Sequence, residues 1–198
     1  DPEFMAQLDT TPAIADVNLD EFDGIYLIGG HGTMFDFAAD EVKQAVAHFA
    51  DADKIVAAVC HGPCGLLDVT LANGTKLLDG RRATTHWQRT PHFVKTYPKI
   101  KLEPDQIFVR DGNIWSSAGI TAGIDLALAM ITEDYGDEVA QNTARQLVLY
   151  HRRSGGQSQF SSLLELKTPN GRFGPLLAWA RENLDAPLTV EDLADKAG

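Results

Sequence analysis

Cys60 follows an unbroken apolar run, Ile55-Val56-Ala57-Ala58-Val59, and precedes His61-Gly62-Pro63. A thiol between a buried strand and a helix sits where backbone N–H groups converge, and the helix dipole there favours the thiolate. Glycine and proline permit the sharp turn and open the helix. This is the layout of a nucleophile elbow. Gly29 and Gly30 close a second apolar run, Ile25-Tyr26-Leu27-Ile28, so their N–H groups are placed to line an anion pocket beside Cys60. Three histidines are candidates to orient or deprotonate the thiol. His61 is adjacent, although neighbouring side chains are expected to diverge. His86 lies in Thr84-Thr85-His86-Trp87 after a short strand, and His31 in the Gly30-His31-Gly32 turn. Each candidate has a plainer alternative. A cysteine ending an apolar strand is often a small core residue, and a histidine in a turn is often a surface or capping group. His48, His92 and His151 have no comparable context. Cys64, one helical turn on, reads as core. No second ligand pair has metal-binding spacing, so no metal is expected.

The elements that must position these groups alternate between strand and helix. Residues 25–28 and 55–59 read as buried parallel strands, and Val42, Ala45, Val46 and Phe49 as the inner face of a helix over about 40–50. A helix is expected from Gly62 to Leu67. A turn over Leu77–Arg82 then leads to a short strand near Ala83-Thr84-Thr85. Residues 107–110 and 113–116 form a hairpin whose two-residue turn is assigned to Asp111-Gly112. Residues 121–134 read as a buried helix. Residues 137–149 read as another, with Val139, Ala140, Ala144, Leu147 and Val148 inward. A polar, glycine-bearing stretch from Ser154 to Ser162 reads as a linker. A helix over roughly 172–184 follows, carrying Phe173, Leu176, Leu177, Ala180 and Leu184 on one face. One more begins near Leu188, with Thr189 as N-cap and Asp192 completing a capping box.

With 198 residues, 44% of them hydrophobic, the chain has room for one α/β domain and a smaller piece. A net charge of −11 is unhelpful for binding a phosphate backbone. No apolar run is long enough to span a membrane, and the N-terminus lacks the basic and apolar segments of a signal peptide. Two cysteines, read as reduced, fit a cytoplasmic setting. Asp1-Pro2-Glu3-Phe4 ahead of Met5 reads as a cloning remnant.

Gly29-Gly30-His31-Gly32-Thr33-Met34-Phe35-Asp36-Phe37, with Ala57-Ala58-Val59-Cys60-His61-Gly62-Pro63, resembles the ThiJ/PfpI (class I glutamine-amidotransferase-like) superfamily. Over about residues 10–80 the resemblance is to its glyoxalase and chaperone-like branch. It implies a cysteine enzyme converting methylglyoxal to lactate without a cofactor. Cys60 would attack the carbonyl, His61 or His86 would move protons, and the Gly29 and Gly30 amides would hold the oxyanion. From about residue 78 the resemblance changes. Leu78–Trp87, Asp111–Asp125 and Arg152–Phe160 are similar to the amidotransferase-like sensor domains of AraC-type transcription regulators, and Leu188–Gly198 to the opening of the AraC helix-turn-helix.

The second resemblance implies a domain that senses a small molecule or dimerises, forms a homodimer, and meets DNA only in a full-length form, since the recognition helix would follow Gly198. Two departures stand out. Regulators of this type usually lack a Cys-His-Gly-Pro elbow, which raises the reading of an inactive engineered or recombined chimera. The superfamily's opening strand, helix and strand, with the glutamate that bonds the cysteine, also have no counterpart here. Asp16, Asp20 and Glu21 sit too close to the 25–28 strand to replace it. The expected architecture is a flavodoxin-like α/β fold lacking the first βαβ unit. It comprises a parallel sheet with helices on both faces over residues 5–160, then a linker and truncated helix-turn-helix over 161–198.

Overall fold

A computed structural model describes residues 6, 9–149, 153, 156–157, 174–183 and 189–197. The chain divides into two compact units, Asp1–Ser154 and Gly155–Gly198.

In the first unit the two unalternating apolar runs become strands, β2 largely buried and β1 buried mainly on one face. β1 (Gly24–Leu27) and β2 (Ile55–Val59) pair in parallel, Gly24 opposite Ile55 and Leu27 opposite Ala58. Between them lie α1 (Thr33–Asp36) and α2 (Asp40–Asp51), and the buried face of α2 is Val42, Ala45, Val46 and Phe49, as its spacing requires. A short 3-10 helix, Gly62–Leu66, follows β2 where an α-helix was expected. β3 (Arg82–Ala83), α3 (Thr90–Thr96) and β4 (Lys101–Leu102) come next, with β3 and β4 forming a small parallel sheet of their own. β5 (Phe108–Asp111) and β6 (Ile114–Ser117) form the hairpin. β6 also pairs with β2 in parallel, so the main sheet has the order β1-β2-β6-β5 and is mixed through β5. α4 (Ala122–Tyr135) and α5 (Asp137–Gln146) complete the unit. No strand precedes Gly24 among the described residues, and β1 is an outer strand with one edge unpaired among them.

Strand alternation sends side chains to two cores. Leu27, Val56, Ala58 and Ile114 pack toward α2 and the 3-10 helix with Val46, Phe49, Leu66 and Phe93. Ala57 and Trp115 pack on the other face against Leu126 of α4.

Two local expectations need correction. Asp111 pairs with Ile114 as the last strand residue, so the hairpin turn is Gly112-Asn113 and only Gly112 has a positive φ, 63°. Glycine at the first of two turn positions is the type II′ pattern, which leaves Asp111 in the ladder. The inner face assigned to 137–149 is also mostly outward. The helix ends at Gln146 and only Ala140 is buried, whereas Val139, Leu147 and Val148 are 44%, 57% and 89% exposed and Ala144 is half-buried. The reason is what α5 rests on: its main partner is α4, not the sheet, and one helix covers a narrower stripe than a sheet does.

α4 carries a buried carboxylate, Asp125, which accepts from the Arg153 backbone N–H at 3.3 Å and from its Nε at 3.1 Å. Two segments matched to the regulator pattern therefore meet. In the second unit, α6 (Gly174–Glu182) and α7 (Val190–Ala197) are present, with Lys196 Nζ 5.2 Å from the Trp179 ring centroid. The capping box forms: the Asp192 N–H donates to Thr189 Oγ1 at 3.1 Å, and the Thr189 N–H donates back to Asp192 Oδ2 at 3.1 Å. Leu176 and Ala180 are half-buried; Phe173 and Leu184 lie outside the described residues, as does most of the 154–162 linker. No helix among the described residues is long and apolar enough to cross a membrane.

Candidate functional site

Cys60 follows β2 directly, with φ 61°, in the left-handed region that a side chain adopts only when its surroundings enforce it. The enforcement is visible on three sides. The Cys60 N–H donates to the Ser117 carbonyl of β6 at 2.8 Å. Its own carbonyl accepts from the His86 N–H at 3.1 Å and the Thr85 hydroxyl at 2.9 Å. Two glycines close on it. A Cβ at Gly29 would lie 2.5 Å from the Cys60 Cβ, and one at Gly119, itself at φ 65°, 2.2 Å away. Both positions must be bare for the strand end to make this turn.

The reversal at Cys60 overturns one expectation. Instead of diverging, the His61 ring returns to the thiol, with Nδ1 3.1 Å from Sγ. Adjacent side chains diverge along a strand, but positive φ at Cys60 breaks that alternation just past the end of β2. His61 is 3% exposed. Its ring centroid is 4.8 Å from that of His31 and 5.1 Å from that of His86, the latter pair stacked, and His86 continues to Trp87 at 5.5 Å. The loops after β1, β2 and β3 thus deliver His31, His61 and His86 into one column of imidazoles beside Cys60. Gly30, at φ 138°, shapes the first loop, and its carbonyl accepts from the Thr33 hydroxyl at 2.6 Å.

The electrostatics oppose the expected thiolate. Burial pushes the Cys60 thiol above its ordinary value, and the backbone N–H of His61 acts in the opposite sense. Burial pulls His61 below its ordinary value, and His86, His31 and Arg89 add to that. His86 is lowered by burial and by His31. The resting pair is therefore thiol and neutral imidazole, each held from its charged form by desolvation. The five-residue 3-10 helix after Cys60 is also a shorter dipole than an α-helix would provide. Cys64 is half-buried against the α2 core, as expected of a packing residue. Among the described residues, no group of three or more histidine, cysteine or acidic side chains is placed to hold a metal ion.

All six sequence candidates, Cys60, His61, His86, Gly29, Gly30 and His31, gather at the C-terminal edge of the sheet. Sequence reasoning missed Thr85 and Ser117, which hold the Cys60 backbone, Gly119, which makes room for it, and Arg89. The Ser-Ala-Gly run after β6 was the one available signal for Gly119, since a glycine leaving a strand marks close backbone approach.

The family pattern of the DJ-1/PfpI family matches residues 5–133. The chain belongs to that family. It is 32% identical over 121 residues to the HTH-type transcriptional regulator CdhR of Pseudomonas aeruginosa, covering 61% of this chain and 36% of the relative. It is 24% identical over 188 residues to the HTH-type transcriptional regulator GbdR of the same species, covering 94% of this chain and 49% of the relative. Over a shorter stretch of 88 residues it is 34% identical to the glutathione-independent glyoxalase HSP31 of Saccharomyces cerevisiae, covering 42% of this chain and 36% of the relative. The chain thus spans about half or less of the length of each of these curated relatives.

Among solved structures, Drosophila melanogaster DJ-1beta aligns with a TM-score of 0.60 at 25% identity, covering 70% of each chain. An AraC family transcriptional regulator from Pseudomonas putida shares the fold, with a TM-score of 0.58 at 20% identity over 70% of this chain and 69% of that one. Both the family match and the GbdR alignment run across residue 78, where two branches were expected to join.

Proposed function

We propose that this chain is the ligand-sensing or dimerising DJ-1/PfpI-type domain of an AraC-family transcription regulator. It would act in the cytoplasm as a homodimer and reach DNA only as part of a full-length protein. The observation that carries this reading is the similarity to GbdR along 94% of the chain, which includes residues of both compact units. The site supports it, since thiol and imidazole are both held neutral and suit binding better than attack. The unpaired edge of β1 supports a dimer, because an uncovered strand edge invites pairing.

A second reading, a cysteine-dependent enzyme acting on small reactive carbonyls, is favoured by the 3.1 Å contact between Sγ and His61 Nδ1 at a residue with φ 61°. Methylglyoxal turnover separates the two. The regulator reading expects none from folded wild-type protein. Turnover that disappears in Cys60→Ala would replace it with the enzyme reading.

A further inference from the structure

The ionisable side chains acting on the imidazoles beside Cys60 are basic: His86, His31 and Arg89 on His61, and His31 on His86. No carboxylate is among them, in a protein whose net charge is −11. The arginines of the clefts elsewhere are already matched. Arg110 Nη1 lies 2.8 Å from Glu133, Arg82 pairs with Glu103, and Arg153 with Asp125. Among the described residues Arg89 pairs with no carboxylate, and its side chain hydrogen-bonds the Cys64 thiol. Its N–H donates to the His86 carbonyl at 2.8 Å, which ties it to the imidazole column, while its Nε is buried with no hydrogen-bond partner. The next residue, Thr90, carries a second buried polar atom without one, Oγ1. Buried donors of this kind are rare in folded proteins and call for an acceptor.

Acidic groups nearby do not supply it. Asp36 is exposed, with its carboxylate lying against Gly32, and Asp68, behind Cys64, already accepts from the Tyr97 hydroxyl at 2.8 Å.

We infer that the Cys60 site takes an anionic ligand, a small monocarboxylate, held by the Arg89 guanidinium and the His31–His61–His86 column. The inference rests on the ligand-sensing reading and names the chemical class sensed. A carboxylate gives Arg89 the acceptor its buried Nε lacks and forms charge-assisted hydrogen bonds in a partly dry site. It also favours protonation of the imidazoles that now hold one another neutral. The groups facing the anion are His31 from the β1 loop, Cys60 and His61 from the β2 end, Cys64 from the 3-10 helix, and His86 and Arg89 after β3, with Asp36 at the rim. Of these, His61 and His86 are held below their ordinary values, and an anion that favours their protonated forms is expected to bind more tightly as pH falls toward those lowered values.

Propionate and propionamide match in shape and differ in charge, and neither reacts with a thiol. Calorimetric titration of the whole chain with each, at pH 6 and pH 8, tests the inference. Propionate is expected to bind about tenfold tighter than propionamide or better, with the preference larger at pH 6 and lost in Arg89→Gln. Should Arg89→Gln fail to fold, Arg89→Lys, which keeps the charge and loses the two-pronged donor, is expected to reduce the preference for propionate over propionamide. Equal binding of the two probes, no binding of propionate, or an Arg89→Gln protein that keeps the preference would overturn the inference. The regulator reading falls separately, by Cys60-dependent turnover of methylglyoxal.

Discussion

On the α2 side of the sheet, Leu27, Val56, Ala58 and Ile114 meet Val46, Phe49, Leu66 and Phe93, and every one of these is 5% exposed or less. On the α4 side, Ala57, Trp115 and Leu126 form a smaller cluster, while Tyr26, Ile28, Ile120 and Ile124 remain 43%, 69%, 85% and 37% exposed. The two faces are built from the same strands. They differ in what lies over them. Among the described residues α2, α3 and the 3-10 helix cover one face, whereas α4 covers the β2–β6 half of the other and leaves the β1 half open beside an edge that no described strand pairs. The closed face anchors Leu66 just after Cys60 and so holds the elbow. The open face leaves apolar surface of the kind that marks an interaction site.

This contrast can be broken by mutation. Phe93→Ala on the closed face is expected to cost about 3–5 kcal/mol, because a filled layer cannot collapse into the space left behind. Chemical denaturation would measure it. Leu126→Ala on the open face is expected to cost less, about 2–3 kcal/mol, at the lower end for such a deletion, since α4 has room to settle. If Leu126→Ala proves the more damaging of the two, the faces are not unequal in the sense argued.

The site between the faces responds to pH. His61 and His86 are lowered below their ordinary values, so between those values and about 6.5 the folded state binds fewer protons than the unfolded one. Stability therefore falls as pH drops through that range, and the melting temperature is expected to decrease from pH 7 to pH 5, less so in His61→Gln. A melting temperature flat over that range would mean the column tolerates its charge. The same desolvation raises Cys60, so its alkylation at pH 7 should be slower than that of a free thiol. Mass spectrometry after timed labelling would show the reverse if the elbow held a thiolate. The smallest effects belong to the outward face of α5, where Val139→Ser and Leu147→Ser are each expected within about 0.5 kcal/mol in the monomer. A larger cost, dependent on protein concentration, would reveal that a second chain covers them.

Much of this protein was legible from residue order. The apolar runs 25–28 and 55–59, the inner face of α2, the hairpin and the Thr189–Asp192 capping box all depend on neighbours within a few positions, which the sequence lists directly. The family kinship was legible for the same reason, being carried by contiguous motifs around Cys60 and Asp125. What only the tertiary structure decided is what faces what across long separations. The outward turn of Val139 and Leu147 could not be read, because periodicity marks an apolar stripe without naming its partner. The return of His61 to the Cys60 thiol depended on a φ imposed by Gly29, Gly119 and β6. The meeting of His31, His61, His86 and Arg89 required the ends of β1 and β2 in the main sheet and of β3 in the small one to converge. Burial, which holds both thiol and imidazole neutral there, exists only once those layers have closed.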